Sequence, residues 1–163
     1  MIEYQNPWFR VVRNGDFFYV DEPRSGNGAA VLPIVGDEVW LLEMCRTAQG
    51  GQTTWEIPRG YGEVNETSAA CALRELREET GLVADAAHLS WLGRMRPNTA
   101  ILSSCIDLYM VALPPEALAG SRDDEAERIV KVPLALLPLK MAQGKLEDGF
   151  TLAALSYYWA TLR

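Results

Sequence analysis

The sequence predicts an α/β protein of the α+β or mixed α/β sandwich type. Short apolar runs bounded by Gly, Pro, Asn and Asp recur along the chain, helical segments are interleaved with them, and no parallel βαβ repeat is visible. With 163 residues, of which 48% are hydrophobic and 23% charged, the chain is long enough to bury its own core. No linker or internal repeat divides it, so residues 1–163 read as a single domain.

Taken in order, Phe9 to Arg13 and Asp16 to Asp21 read as two strands joined at Asn14-Gly15, a dipeptide favoured in tight hairpins. They form an N-terminal β extension within residues 1–27. After the turn-rich PRSGNG, Ala29 to Val35 and Val39 to Cys45 read as a second strand pair across Gly36-Asp37. The Gly/Gln/Thr segment Ala48 to Thr54 reads as a loop and a candidate lid, and Trp55 to Pro58 as a short strand. A helix follows, with Asn65, Thr67 and Ser68 at its start and Gly81 just past its end. Leu89 to Arg96, Cys105 to Leu113 and Ile129 to Val132 are further strands. Two helices close the chain, about Leu134 to Gln143, ended by Gly144, and about Thr151 to Leu162 after Asp148-Gly149.

The chemistry is concentrated between Gly60 and Leu82, GYGEVNETSAACALRELREETGL. On the predicted helix Glu75, Glu78 and Glu79 stand at i, i+3 and i+4, so their carboxylates share one side, while Ala72, Leu73 and Leu76 turn to a core. Like charges so spaced destabilise a helix by a few tenths of a kcal/mol per pair and call for a counter-charge. Arg74 and Arg77 supply part of it. A hard divalent cation such as magnesium supplies more, using one or two carboxylates together with substrate phosphate oxygens. Taken alone, the same cluster also fits a solvated acidic face laced with ion pairs.

The whole pattern decides between the two readings. Gly60, Glu66 and Arg74-Glu75-Leu76-x-Glu78-Glu79-x-Gly81-Leu82 match Gx5Ex7REUxEExGU, the signature of the Nudix hydrolases, at every defined position. The resemblance implies a Nudix-type α/β/α sandwich around a mixed sheet, with this segment as the metal-binding loop-helix-loop. It extends from about Val31 to Leu155 and is strongest to the ADP-ribose pyrophosphatase branch. LLEMCR at Leu41 to Arg46 and WEIPRG at Trp55 to Gly60 are similar to two elements of that branch, Pro97 falls at a position it marks, and MAQGKLEDGFTLAALSYYW resembles its ending. Arg59 stands where that branch has alanine, and Pro97-Asn98-Thr99-Ala100 departs from its Pro-Ser-Pro-Gly. These departures leave the substrate open.

The roles that follow are those the resemblance implies. Gly60, through its carbonyl, and Glu75, Glu78 and Glu79 are the metal ligands, for Mg2+ or for Mn2+ as a substitute. Glu66 serves the box structurally or an outer ion. Arg74 holds a neighbouring glutamate in place. The catalytic base is a glutamate far downstream, Glu125 or Glu127, with Glu125 preferred; in other branches it is a box glutamate such as Glu78 or Glu79. Arg46 and Arg59 clamp the diphosphate, a task suited to the planar guanidinium, and Glu56 belongs to the same substrate-binding segment. Trp8 and Phe9 are candidates to stack on a base, in a strand region exchanged across a homodimer.

The expected reaction is Mg2+-dependent cleavage of a nucleoside diphosphate sugar, most simply ADP-ribose to AMP and ribose 5-phosphate. GDP-mannose or a dinucleotide is the alternative within the class, and a non-catalytic Nudix ligand sensor the alternative outside it. An isomerase of isopentenyl diphosphate ranks lower, because Cys45, Cys71 and Cys105 match no catalytic cysteine motif. Fifteen basic against twenty-two acidic residues, net charge −7, give no electrostatic footprint for a nucleic acid polymer or an anionic membrane. Three separated cysteines without CxxC spacing and the lack of an apolar leader or span place the protein in the cytoplasm. His88, the lone histidine, is expected to be structural.

Overall fold

The computed structural model describes residues 1–162, and its first three strands form a sheet of their own. β1 (Ile2–Gln5), β2 (Arg10–Asn14) and β3 (Phe17–Asp21) lie antiparallel in that order. The β2–β3 hairpin turns at Gly15-Asp16, since Asn14 pairs with Phe17, one residue beyond the expected dipeptide. Gly15 adopts φ +62°, the positive value required at the first position of a II′ turn. β1 had no counterpart in the sequence reading. The Val20 amide donates to the Ile101 carbonyl at 2.7 Å and the Val20 carbonyl accepts from Ser103 at 2.9 Å, mooring this sheet to the loop before the eighth strand's partner.

The larger sheet grows around β4 (Ala29–Val35), buried at every residue. It contains β5 (Glu38–Arg46), β6 (Gln52–Glu56), β7 (Arg59–Gly60), β8 (Leu89–Met95), β9 (Ile106–Leu113) and β10 (Arg128–Pro133). The path runs β10-β5-β4-β9-β8, with β6 on β5 and β7 on β4. The β4–β9 pair is parallel and the others antiparallel, so the sheet is mixed, as expected. The segment read as a lid is instead a hairpin. A short 3-10 turn at Thr47–Gln49 and glycines at φ +67° and +77° return the chain so that Gln52 pairs with Arg46.

Side chains alternate across a strand, and β4 therefore feeds two cores. Ala29, Val31 and Val35 pack under α1 (Ser68–Thr80) with Cys71, Ala72 and Leu76, whereas Ala30, Leu32 and Ile34 pack against Leu137, Ala154 and Leu155. The latter come from α2 (Leu137–Ala142) and α3 (Gly149–Thr161). The result is the expected α/β/α sandwich. α2 is shorter than expected, and its first residues form a 3-10 turn, Leu134–Leu136. Pro138 has no N–H to give to Leu134, so an α-helical ladder cannot run through that turn. No helix among the described residues is long and apolar enough to cross a membrane.

Candidate active site

α1 is fixed at both ends by the residues that forecast it. The Thr67 hydroxyl accepts from the Ala70 amide at 3.2 Å, and Gly81 at φ +75° donates its amide to the Arg77 carbonyl. With Cys71, Ala72 and Leu76 anchored on the sheet, Glu75 and Glu79 face β7 one turn apart. Glu79 is 4% exposed, and its Oε2 accepts from the Arg59 amide at 3.0 Å. Glu75 lies close against Gly60, where an added Cβ would meet the end of the Glu75 side chain. Burial, then the charge of Glu75, pushes the Glu79 carboxyl up to about 8. Burial also raises Glu75, against the pull of Arg74.

Arg74 is the hub of the cluster. Its Nε and Nη2 grip Glu66 at 3.0 Å each, Nη1 reaches Glu75 at 2.7 Å and Glu78 at 3.0 Å, and Nη2 also donates to the Tyr61 carbonyl. These bonds, that to Glu66 first, hold its guanidinium far above the usual arginine range. Glu66 also accepts from the Glu63 amide at 2.8 Å, a placement that shapes the loop entering α1. Glu78 is partly exposed on the far side of Arg74 and borders a different hollow, with Arg77, Arg122 and Asp123.

A second charged cluster faces this one. Arg46 contacts both oxygens of Glu56, at 2.7 Å through Nη2, and reaches Glu125 at 3.0 Å; Arg59 meets Glu56 at 3.3 Å and lies 4.5 Å over the Phe150 ring. The Thr54 hydroxyl adds a bond to Glu56 at 2.6 Å. Burial alone would raise the Glu56 carboxyl, but the bonds from Arg46 and Thr54 and the two arginine charges outweigh it and hold it low. Glu56 is thus a buried anion that accepts five hydrogen bonds from four donor atoms, two on Arg46, one on Arg59 and one on Thr54.

Arg46, Arg59, Gly60, Glu75 and Glu125 line a cleft of about 700 Å³ together with Trp8, Glu22, Arg24, Tyr61, Pro97 and Leu102. Trp8 stacks on Tyr61 with centroids 6.4 Å apart, and the Arg24 guanidinium lies 5.6 Å from the Trp8 ring. The structure thus brings together Trp8, Arg46, Arg59, Gly60, Glu75 and Glu125. Phe9 is not among the lining residues and tilts onto Tyr4. Glu127 is exposed and outside the cleft, and His88 pairs with Asp85 on the surface. Sequence reasoning missed Glu22, Arg24, Tyr61 and Phe150. Only Tyr61 carried a signal, its place directly after the box glycine.

Three arginines and three glutamates line the cleft, so its own side chains offer a diphosphate no excess of positive charge. The buried carboxylate of Glu79 and the partly buried one of Glu75, both raised by burial, stand beside β7, where Gly60 has no Cβ in the way. That donor set is all oxygen and under-neutralised, and it fits a hard divalent cation. Among the described residues no three acidic, histidine or cysteine side chains close into a ready cage, because Arg74 already draws Glu75 and Glu78 to itself.

Comparison with known proteins agrees with this geometry. The NUDIX domain family model matches residues 24–151. The mRNA-decapping protein g5R of African swine fever virus is 46% identical over 43 residues in one isolate and 42% in another, covering 26% of this chain and 18% of the viral protein in both cases. The chain therefore matches less than a fifth of the length of these curated relatives. Among solved structures, the crystal structure of an ADP compounds hydrolase superposes with a TM-score of 0.78 at 20% identity, over 99% of this chain and 90% of that one.

Proposed function

Because this chain belongs to the Nudix family of pyrophosphohydrolases, we propose that it is a magnesium-dependent hydrolase of a nucleoside diphosphate sugar. The simplest case is ADP-ribose, cleaved to AMP and ribose 5-phosphate. One observation carries the reading: a single cleft is lined by the stacked pair Trp8 and Tyr61 together with Arg46, Arg59 and Glu75, and buried Glu79 accepts from the Arg59 amide at its edge. Such a cleft suits a ligand with a planar base at one end and a diphosphate at the other. The name of the superposed hydrolase points to the same class of compound.

Glu75, Glu79 and the Gly60 carbonyl would hold Mg2+, or Mn2+ in its place, with Glu78 reaching it only by leaving Arg74. When bound, the ion supplies positive charge to the phosphate oxygens and acidity to a water. Arg46 and Arg59 orient the diphosphate, held in a fork by Glu56. Glu125 takes the proton as the water oxygen bonds to phosphorus, and the P–O–P bond breaks to release two phosphomonoesters. Glu127 does not line the cleft and is the weaker choice of base. The protein acts as one Nudix domain over residues 1–163, in the cytoplasm, and its N-terminal sheet pairs two copies.

The test is Mg2+-dependent release of phosphomonoesters from ADP-ribose, GDP-mannose, dinucleoside polyphosphates, NADH, nucleoside triphosphates and, because of the viral relatives, a capped RNA. Glu79→Gln is the control. Cleavage of one diphosphate sugar, lost in that variant, supports the reading; tight binding across the panel without turnover overturns it in favour of a ligand sensor.

A further inference from the structure

The segment carrying Glu125 has no helix or strand of its own between β9 and β10, yet it is tied down at every turn. Helix C-termini leave carbonyls without intrahelical partners, and here the loop supplies them. The Asp123 amide donates to the Glu78 carbonyl at 2.8 Å and the Gly120 amide to the Gly81 carbonyl at 2.8 Å. The approach at Gly81 is close, since a Cβ there would clash with the Gly120 carbonyl oxygen. At the other end the Glu127 amide donates to the Glu43 carbonyl at 2.9 Å, and Ala126 is buried against Leu42 and Met44.

One side chain spans the interval. Arg122 Nη1 donates to the carbonyls of Asp123 and Ala126, both at 2.9 Å, and Nη2 to that of Glu127 at 3.4 Å. Those carbonyls lie on either side of Glu125. A planar guanidinium joining them leaves the intervening peptides little freedom to rotate, because its donors form a fixed fork. The Asp123 carboxylate accepts from the Glu125 amide at 3.1 Å and completes the turn.

We propose that Arg122 is a positioning residue which, with the Gly81–Gly120 contact, latches the loop to the end of α1 and holds Glu125 at the mouth of the cleft. The helix that carries the metal-binding carboxylates also sets the base, so the two share one frame. Gly81 then has a second task besides ending the helix: its missing Cβ admits the latch. This inference rests on Glu125 being the base. Displacement of a catalytic group by about 1 Å costs on the order of 100-fold in rate, which is the lever Arg122 controls without touching substrate.

The experiment compares Arg122→Ala, Arg122→Lys, Glu125→Gln and Arg122→Ala/Glu125→Gln in the full chain with Mg2+ and the diphosphate cleaved best in the panel above. Amide hydrogen exchange at Asp123 and Glu127 is read in parallel. Arg122→Ala is expected to lower kcat about 10- to 100-fold with KM within twofold. Exchange at both amides should rise, Arg122→Lys should recover part of both, and Arg122→Ala should add nothing once Glu125 is Gln. If Glu125→Gln is slow while Arg122→Ala keeps the wild-type kcat, the latch is wrong and the base stands. If Glu125→Gln turns over like wild type, the base assignment fails and the proposal falls with it. Unchanged amide exchange in Arg122→Ala overturns the latch whatever the rates.

Discussion

Glu79 is the residue on which the site's energetics turn. Its folded-state carboxyl is pushed up to about 8 from an ordinary 4.5, chiefly by burial. Without metal, the folded state therefore favours the neutral acid. That stabilisation is complete below about pH 4.5 and is lost as pH rises through about 8, so the metal-free protein weakens over this interval. Glu79→Gln removes the ionisation and should make the metal-free protein more stable than wild type at pH 9, by roughly 1–3 kcal/mol in urea melts. The same variant should lose its stabilisation by Mg2+ and its turnover. A wild type that unfolds at the same urea concentration at pH 6 and pH 9 would count against this. Cys71 gives a second check. Burial pushes its thiol up to about 11 and it contacts the Gly60 carbonyl, while Cys45 is exposed and Cys105 partly so. Disulfide reagents at pH 8 should titrate Cys45 and Cys105 readily and Cys71 only on unfolding, as mass mapping of the labelled protein would read.

At the scale of elements, α1 couples fold and site. Removing its cap by Thr67→Ala should cost about 1 kcal/mol, and Leu76→Ala about 2–5 kcal/mol, because Leu76 is fully buried between helix and sheet. Both are read from denaturant midpoints, and the second should also weaken Mg2+ binding by letting Glu75 and Glu79 shift. What was legible here follows from range. Thr67, Gly81 and the i, i+4 carboxylates act within a turn of one another, so the sequence forecast both ends of the helix and its acidic face. β1 was illegible because all four of its residues are exposed and carry no core pattern. The hairpin at Gln52 was masked by polar residues that read equally as a loop. Trp8 on Tyr61, Glu22 and Arg24 in the cleft, and Arg122 beneath Glu125 are made by contacts between distant segments, which local pattern does not encode. The engagement of Glu56 with Arg46 and Arg59 was hidden for the same reason, being invisible until the strands are paired.

At the scale of the whole molecule, the N-terminal sheet is the feature least at home in a monomer. Ile2 and Tyr4 on β1 and Phe17 and Phe18 on β3 are each at least half exposed, and large apolar side chains left exposed on one small sheet mark an interaction site. A second copy is the natural partner for it, because Trp8, in the connection between β1 and β2, lines the cleft and pairing would steady it. The expected outcome is a dimer of the 18.1 kDa chain in sedimentation equilibrium, converted to monomer by Phe17→Ser/Phe18→Ser with little change in melting temperature. Each copy carries a net charge of −7, so the association is opposed by like charge. Screening reaches about 10 Å at 0.1 M salt and shortens further above it, and the dimer should therefore tighten as sodium chloride is raised, opposite to an interface held by ion pairs. A wild type that sediments as a monomer at high salt and high concentration would remove the dimer from this account and leave Trp8 to serve its own cleft alone.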